Sequence, residues 1–295
     1  MPNESAMQHS GDAAEPLALL RFLRVRDQAA FQRYLSGLDV ELRASGGRRI
    51  YGGRVDQVLS TGGGGEMEFN VHLVDEFPTR ELCEESLRSP TPHAAEALAD
   101  SFVISARPVP QFRLRLLHAL MWALRTFRPL RIADEPPPFP GAAPDAAANP
   151  AANPAVAAAQ RFMQADQQTD FAMMNLNIFH EQARYAAADA AADDAPPLSG
   201  AAAYARYGRV AMRHVGRRGG RPLWAGEPDA VVEGAAEHPL NQPWQQYVLV
   251  HYPSRRHIRD MIADDSYRRA LPHREAGLAR AALMPTTPWP DFAPR

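Results

Sequence analysis

The sequence predicts an α+β fold built from two β-α-β-β-α-β modules, and three observations carry that reading. The stretch Gly46-Gly47-Arg48-Arg49-Ile50-Tyr51-Gly52-Gly53-Arg54-Val55-Asp56 returns as Gly219-Gly220-Arg221-Pro222-Leu223-Trp224-Ala225-Gly226-Glu227-Pro228-Asp229. Phe77-Pro78-Thr79-Arg80 is answered by Tyr252-Pro253-Ser254-Arg255, and Pro92-His93 by Pro272-His273. Between the copies lies an alanine-rich stretch holding Pro136, Pro137, Pro138, Pro140, Pro144, Pro150 and Pro154, a density that disfavours helix and sheet interiors. The expected order is a disordered tail over 1–16, a first module over 17–110, a basic amphipathic helix over 111–132, a linker over 133–160 and a second module over 161–290.

Each element has a local reason. Leu17 to Val25 is an apolar run and reads as a strand. Asp27 caps a helix to Ala44, with Phe31, Tyr34, Leu35, Leu38 and Leu42 at helical spacing, and Gly46-Gly47 ends it. Arg49 to Leu59 is the second strand, bent at Gly52-Gly53; Gly62 to Gly65 is a loop; Met67 to Val74 is the third strand. Thr79 opens a helix carrying Leu82 and Leu87, and Phe102 to Ala106 closes the module as a strand. The second copy repeats the order. Its elements are a strand Ala172 to Phe179, a helix from Ser199 to about His214, a stop at Gly219-Gly220, and strands Leu223 to Val232 and Tyr247 to Tyr252. A helix capped by Ser254 and a short strand Ala281 to Met284 complete it. This is the ferredoxin-like split βαβ pattern. Its sheet carries helices on one face only, and two copies can cover each other's free faces, sheet against sheet.

Within the second copy, Met174-Asn175-Leu176-Asn177-Ile178-Phe179, Tyr204-Ala205-Arg206-Tyr207, Gly219 to Gly226, Tyr252-Pro253-Ser254-Arg255, Asp265-Ser266-Tyr267 and Pro272-His273-Arg274 resemble the domain of unknown function 1330 family. The first copy resembles it more loosely, through Tyr34, Gly46-Gly47, Gly53 and Phe77-Pro78-Thr79-Arg80. The family belongs to the dimeric α+β barrel superfamily, so the resemblance implies a pseudo-dimeric barrel within one chain. The superfamily includes muconolactone isomerases, cofactor-free monooxygenases and haem enzymes such as chlorite dismutase. The family itself implies no reaction.

Composition narrows the chemistry. All 32 basic residues are arginine, which removes lysine-based covalent catalysis and the phosphate-loop lysine, and the formal charge of -2 is not that of a general nucleic-acid binder. Cys83 is the one cysteine, so no intrachain disulfide forms; a cytoplasmic location fits this, and Met1 to Glu15 lacks the pattern of a signal peptide. Histidines occur singly, without metal-ligand spacing, so no metal site is expected; one histidine would suffice as an axial ligand for haem, but no local motif calls for it and no cofactor is expected.

On Ala172 to Phe179 the side chains alternate. Met174, Leu176 and Ile178 are expected to face the helices, and Asn175 and Asn177 the barrel interior, where two amides can orient a ligand carbonyl or hydroxyl. Buried amides also commonly bond each other or nearby backbone. Tyr207 and Trp224 are expected to wall the pocket, and an aromatic pair is as readily core. His251, on the strand face opposite Val248 and Val250, is the candidate general base; the competing reading is a partly exposed strand histidine. Arg113 to Arg131 forms a basic amphipathic helix with Leu114, Leu117, Met121, Leu124 and Phe127 near one face and Trp122 beside it. Two functional readings therefore stand open. One is a protein that binds a small hydrophobic, oxygen-bearing molecule in the second module, with isomerase-like or cofactor-free monooxygenase-like chemistry. The other is a non-catalytic interaction protein that meets a partner or membrane surface through Arg113 to Arg131; for the helix itself, docking on the barrel or at a chain–chain interface is the favoured alternative.

Overall fold

The computed structural model describes residues 15–61, 68–88, 91–130, 132, 161–165, 168–186 and 198–292. The expected tail (apart from Glu15 and Pro16), the Gly62 to Gly65 loop, Met67, Arg131 and the whole linker over 133–160 lie outside the described residues.

The first module runs β1 (Leu17–Val25), α1 (Gln28–Ala44), β2 (Arg48–Val55), β3 (Ser60–Thr61), β4 (Val71–Phe77), α2 (Arg80–Arg88), α3 (Ala94–Ala97) and β5 (Leu98–Pro108). Helix α4 (Gln111–Phe127) follows. The second module runs β6 (Phe171–Phe179), α5 (Gly200–Arg217), β7 (Arg221–Glu233), β8 (Gln246–Tyr252), α6 (Arg255–Ala263), α7 (Asp265–Arg268), α8 (Leu271–Gly277) and β9 (Leu278–Pro288). The strand order is β2-β4-β1-β5-β7-β8-β6-β9-β3, and β2 also pairs with β9, which closes the sheet into a barrel. The described pairings are antiparallel, and the modules join edge to edge at β5–β7 and β2–β9. Closure leaves no free edge along the main strands.

Local signals set the matching helices. The Asp27 carboxylate accepts the Ala30 amide at 2.7 Å to start α1, and the Ser199 hydroxyl accepts the Ala202 amide at 3.2 Å to start α5. Both helices are followed by glycines in left-handed backbone, Gly46 at φ 67° and Gly219 at φ 82°.

Several strand limits differ from expectation: β5 spans Leu98–Pro108 rather than Phe102 to Ala106, β6 and β7 begin one and two residues early, and three more show the reason. The last strand is Leu278–Pro288 rather than Ala281 to Met284, because β9 pairs along β6 and then reaches the other module's β2 at Gly53↔Pro288. Strand β2 ends at Val55, after which the Leu59 amide donates to the Leu283 carbonyl and the chain joins β9 as β3. The third strand starts at Val71 and continues to Phe77 because its register on β1 runs to Leu17↔Phe77. Tertiary pairing sets these ends.

The barrel interior holds Leu20, Phe22, Tyr51, Val74, Phe102, Ile104, Met174, Leu176, Trp224, Tyr247, Leu249 and Met284. Two polar pairs tie the modules together inside it: His72 Nε2 with the Tyr247 hydroxyl at 2.7 Å, and the Tyr51 hydroxyl with Thr286 Oγ1 at 2.6 Å. The helix-side layer of the second module is a separate cluster of Phe171, Met173, Ala211, Val215, Val250, Ile258 and Met261. The alternation along β6 is therefore as expected but its facing is reversed. Met174 and Leu176 point into the barrel, while Asn175 and Asn177 point to the helices. Both faces of β6 are covered, so both are mostly apolar and the pattern does not say which is inner.

Helix α4 docks on the second module. Met121 and Leu124 pack where Gly216 of α5 has no side chain, His118 Nε2 donates to the Pro222 carbonyl at 2.6 Å, and Arg217 Nε donates to the Arg128 carbonyl at 2.9 Å. Phe127, expected near the same face as Leu114, Leu117, Met121 and Leu124, is 74% exposed. It joins a second apolar stripe of Phe112, Leu116, Leu120 and Trp122 on the outward side.

Candidate functional site

A cavity of about 270 Å³ lies between the outer face of the second module's sheet, α5 and α4. Its floor is Asn175 of β6, Ala225 of β7 and Val248 and Val250 of β8. The α5 wall presents Tyr204, Tyr207, Gly208, Ala211 and Met212, and Arg113, Leu114 and Leu117 of α4 form the roof. Helical spacing puts Tyr204, Tyr207, Gly208 and Ala211 on one face of α5, and docking of α4 converts an open groove into a cavity.

The polar groups are few and directed. Asn175 Nδ2 donates to the Met173 carbonyl at 3.0 Å and the Val248 carbonyl at 3.2 Å. Two carbonyls can only accept, so the amide orientation is set and Oδ1 is left as an acceptor toward the cavity. Asn177 stands one layer behind. It is 1% exposed, and its Nδ2 donates to the Tyr204 hydroxyl at 3.2 Å and to Gln246 Oε1 at 2.9 Å. The Tyr204 oxygen accepts from Asn177, which leaves its own hydrogen to donate. Gln246 likewise keeps its amide donors. The Tyr207 and Tyr267 hydroxyls bond each other at 2.8 Å.

Burial raises the phenols of Tyr204, Tyr207 and Tyr252 above the ordinary tyrosine range and Tyr267 to about 12. At neutral pH they are neutral hydroxyls. The lining holds no histidine, cysteine or carboxylate among the described residues, so it can bind and orient polar oxygen, and no side chain there titrates near pH 7.

Of the expected site residues, Asn175 and Tyr207 meet in this cavity, and Asn177 holds two of its walls from behind. Trp224 does not join Tyr207: it lies on the other face of the sheet in the barrel interior, its ring 5.4 Å from Tyr247. His251 is also elsewhere, at the barrel-side end of β8, and it is buried, its Nε2 3.3 Å from Asp170 Oδ2. Desolvation holds its imidazole below the usual histidine range, against the pull of Asp170, and Arg221 adds to the depression. Sequence reasoning missed Tyr204, Gln246 and Arg113 as wall groups. The spacing of Tyr204 to Tyr207 on one helix was the available signal, and Arg113 needed the docking of α4. Among the described residues no three His, Cys, Asp or Glu side chains group to hold a metal, and no helix is long and apolar enough to cross a membrane.

Comparison with known proteins places these observations in a family. The model of the domain of unknown function DUF1330 matches residues 198–285, which span α5 to β9. A protein of unknown function from Rhodopseudomonas palustris is 28% identical in its solved structure, over 44% of this chain and 90% of that one, with a TM-score of 0.38. A methylated form of that protein is 30% identical over 44% of this chain and 88% of its own, with a TM-score of 0.37. An anthrone oxidase-like protein covers 94% of this chain and 93% of its own at 8% identity, with a TM-score of 0.45. None of the curated proteins matches this chain. The second module's motifs, its matched segment and the closed antiparallel barrel agree, and the chain belongs to the DUF1330 family with a dimeric α+β barrel fold.

Proposed function

We propose that the second module binds a small hydrophobic molecule bearing hydroxyl or carbonyl oxygen, in the cavity roofed by α4. The observation that carries this is the unmatched acceptor Asn175 Oδ1 beside the Tyr204 hydroxyl donor in an otherwise apolar lining. The matching place in the first module supports the assignment to the second. Strands β1 and β6 both have nine residues, and Arg21 stands where Asn175 does. Arg21 Nε bonds Asp75 at 3.1 Å, and Arg49 Nε bonds the same carboxylate at 2.8 Å. An ion cluster thus fills the space that is open in the second module. The lining favours binding over acid–base catalysis, since isomerase-like proton transfer needs a group titrating near the working pH.

Gly208 supplies the test. A Cβ there meets nothing within 4 Å and Gly208 lines the cavity, so Gly208→Leu is placed to fill it and replaces a poor helix former by a good one. The parent is expected to gain melting temperature with 2-naphthol or a hydroxylated anthraquinone. Gly208→Leu is expected to melt at or above the parent's temperature and to show no such gain. Absence of stabilisation in the parent, or equal stabilisation in both, sinks the reading.

A second reading concerns α4 and is compatible with the first. Phe112, Leu116, Leu120, Trp122 and Phe127 are 61%, 66%, 54%, 63% and 74% exposed, and the helix carries Arg113, Arg115 and Arg125 without an acidic residue. An apolar stripe beside cations fits an anionic bilayer surface. Co-sedimentation with phosphatidylglycerol vesicles, weak on phosphatidylcholine and abolished by Leu116→Glu with Leu120→Glu, supports it; equal sedimentation of parent and variant refutes it.

A further inference from the structure

Further along α4 lies a second cavity, of about 400 Å³, whose lining shares no residue with the first. It opens between α4, the Gly219–Gly220 turn and the ends of β7 and β8. Arg125 and Arg221 both line it.

Charge is the first argument. The buried arginines Arg21, Arg49, Arg218 and Arg255 have carboxylate partners: Arg21 and Arg49 share Asp75, Arg218 has Asp260, and Arg255 has Asp56. Among the described contacts, Arg125 and Arg221 have none. The carboxylate in the lining, Asp170, is engaged by His251 Nε2. Two guanidinium groups face a cavity whose lining holds one carboxylate, Asp170, itself bonded to His251; the cations outnumber it, and their planar forks match an oxyanion.

The backbone is the second argument. Gly219 sits in left-handed backbone at φ +82°, and a Cβ on it would lie 3.8 Å from Arg125 Nε, so the guanidinium is seated over a turn that bears no side chains. Gly216 and Gly220 also line the cavity, where Met121 and the His251 backbone approach them closely.

His251 is the third. Its side chain is 8% exposed. The Asp170 carboxylate accepts, so Nε2 carries the hydrogen, and Nδ1 has no protein partner. The imidazole therefore retains a lone pair able to take up a proton when negative charge enters beside it.

We propose that this cavity is an oxyanion site, which takes the phosphate or carboxylate group of a ligand between Arg125 and Arg221, with the His251–Asp170 pair as its wall. Free metabolites and lipid headgroups both present this chemistry, and exposed Trp122 borders the cavity.

Calorimetric titration of the full chain with phenylphosphate and with benzoate tests the site. Saturable binding is expected for at least one, weakened about tenfold by Arg221→Gln and by Arg125→Gln, as for loss of one charge-assisted hydrogen bond. Arg115→Gln, on the same helix but away from the lining, is expected to bind as the parent does, which separates a site from general positive charge. Arg125 is exposed, so its replacement leaves the fold intact and keeps the test decisive if Arg221→Gln unfolds. Gly208→Leu is expected to bind phenylphosphate normally, so loss of the first cavity and loss of this one are told apart. Vesicles of phosphatidylglycerol identify the source: retention that falls in both arginine variants and is displaced by phenylphosphate assigns a lipid headgroup. Saturable binding of phenylphosphate without such retention assigns a soluble ligand. A parent that binds no probe, or Arg125→Gln and Arg221→Gln variants that bind like the parent, overturns the proposal.

Discussion

His72 makes barrel stability depend on pH in a predictable direction. Its Nδ1 lies 3.0 Å from the Arg21 carbonyl, which can only accept, so Nδ1 carries the hydrogen and Nε2 accepts from the Tyr247 hydroxyl at 2.7 Å. A second proton on Nε2 removes that acceptor and places a cation in an apolar core, stacked 4.6 Å from the Phe22 ring. Burial accordingly lowers its pKa from 6.5 to about 4, outweighing the Arg21 carbonyl and Asp75, which act to raise it. Between these values the unfolded chain holds the extra proton, so stability rises with pH across the window. The contribution is complete above about pH 6.5 and is lost as pH falls toward 4. Its full size is about 3 kcal/mol, of which about 2 kcal/mol disappears between pH 7 and pH 5. Urea unfolding of the parent and of His72→Gln at both pH values isolates this one histidine from the others. The parent is expected to lose about 2 kcal/mol more than the variant. Equal losses refute the assignment of a neutral imidazole at the barrel centre.

Three further outcomes follow from the packing. Asp75→Ala strands the buried Arg21 guanidinium and leaves Arg49 with Asp39 alone, and is expected to cost about 3–5 kcal/mol in chemical denaturation; a cost below about 1 kcal/mol contradicts the ion cluster. Gly216→Val drives a side chain into Met121, so α4 is expected to become susceptible to limited proteolysis while the barrel keeps its circular dichroism; a protected α4 contradicts the docking. Cys83 is fully buried and its thiol is pushed up to about 12 by burial, so the native protein is expected to react with Ellman's reagent at pH 8 only at its unfolding rate, and immediate reaction refutes that burial.

Much of this structure is legible in local signals. Asp27 and Ser199 start α1 and α5 and Gly46 and Gly219 stop them, because capping and left-handed turns are decided by a few neighbouring residues. The main β-α-β-β-α-β order of each module follows from the same kind of information, while the short β3, α3, α7 and α8 do not. The polar positions Asn175 and Asn177 also stand out on an apolar strand without any structure.

The tertiary structure decided what local signals cannot carry. Period-two alternation separates two faces of β6 but does not label them, since barrel core and helix layer are both apolar; only packing put Asn175 with Tyr207 and left Trp224 on the far side. Strand ends depended on partners from the other module, as with β9 on β2. Both cavities exist because α4 lies against α5, a contact between residues distant in sequence that no periodicity encodes. The sequence alone therefore determined the modules and their main elements, which rest on local conformational preference. Which residues meet, and so which chemistry this protein can host, was settled by long-range packing.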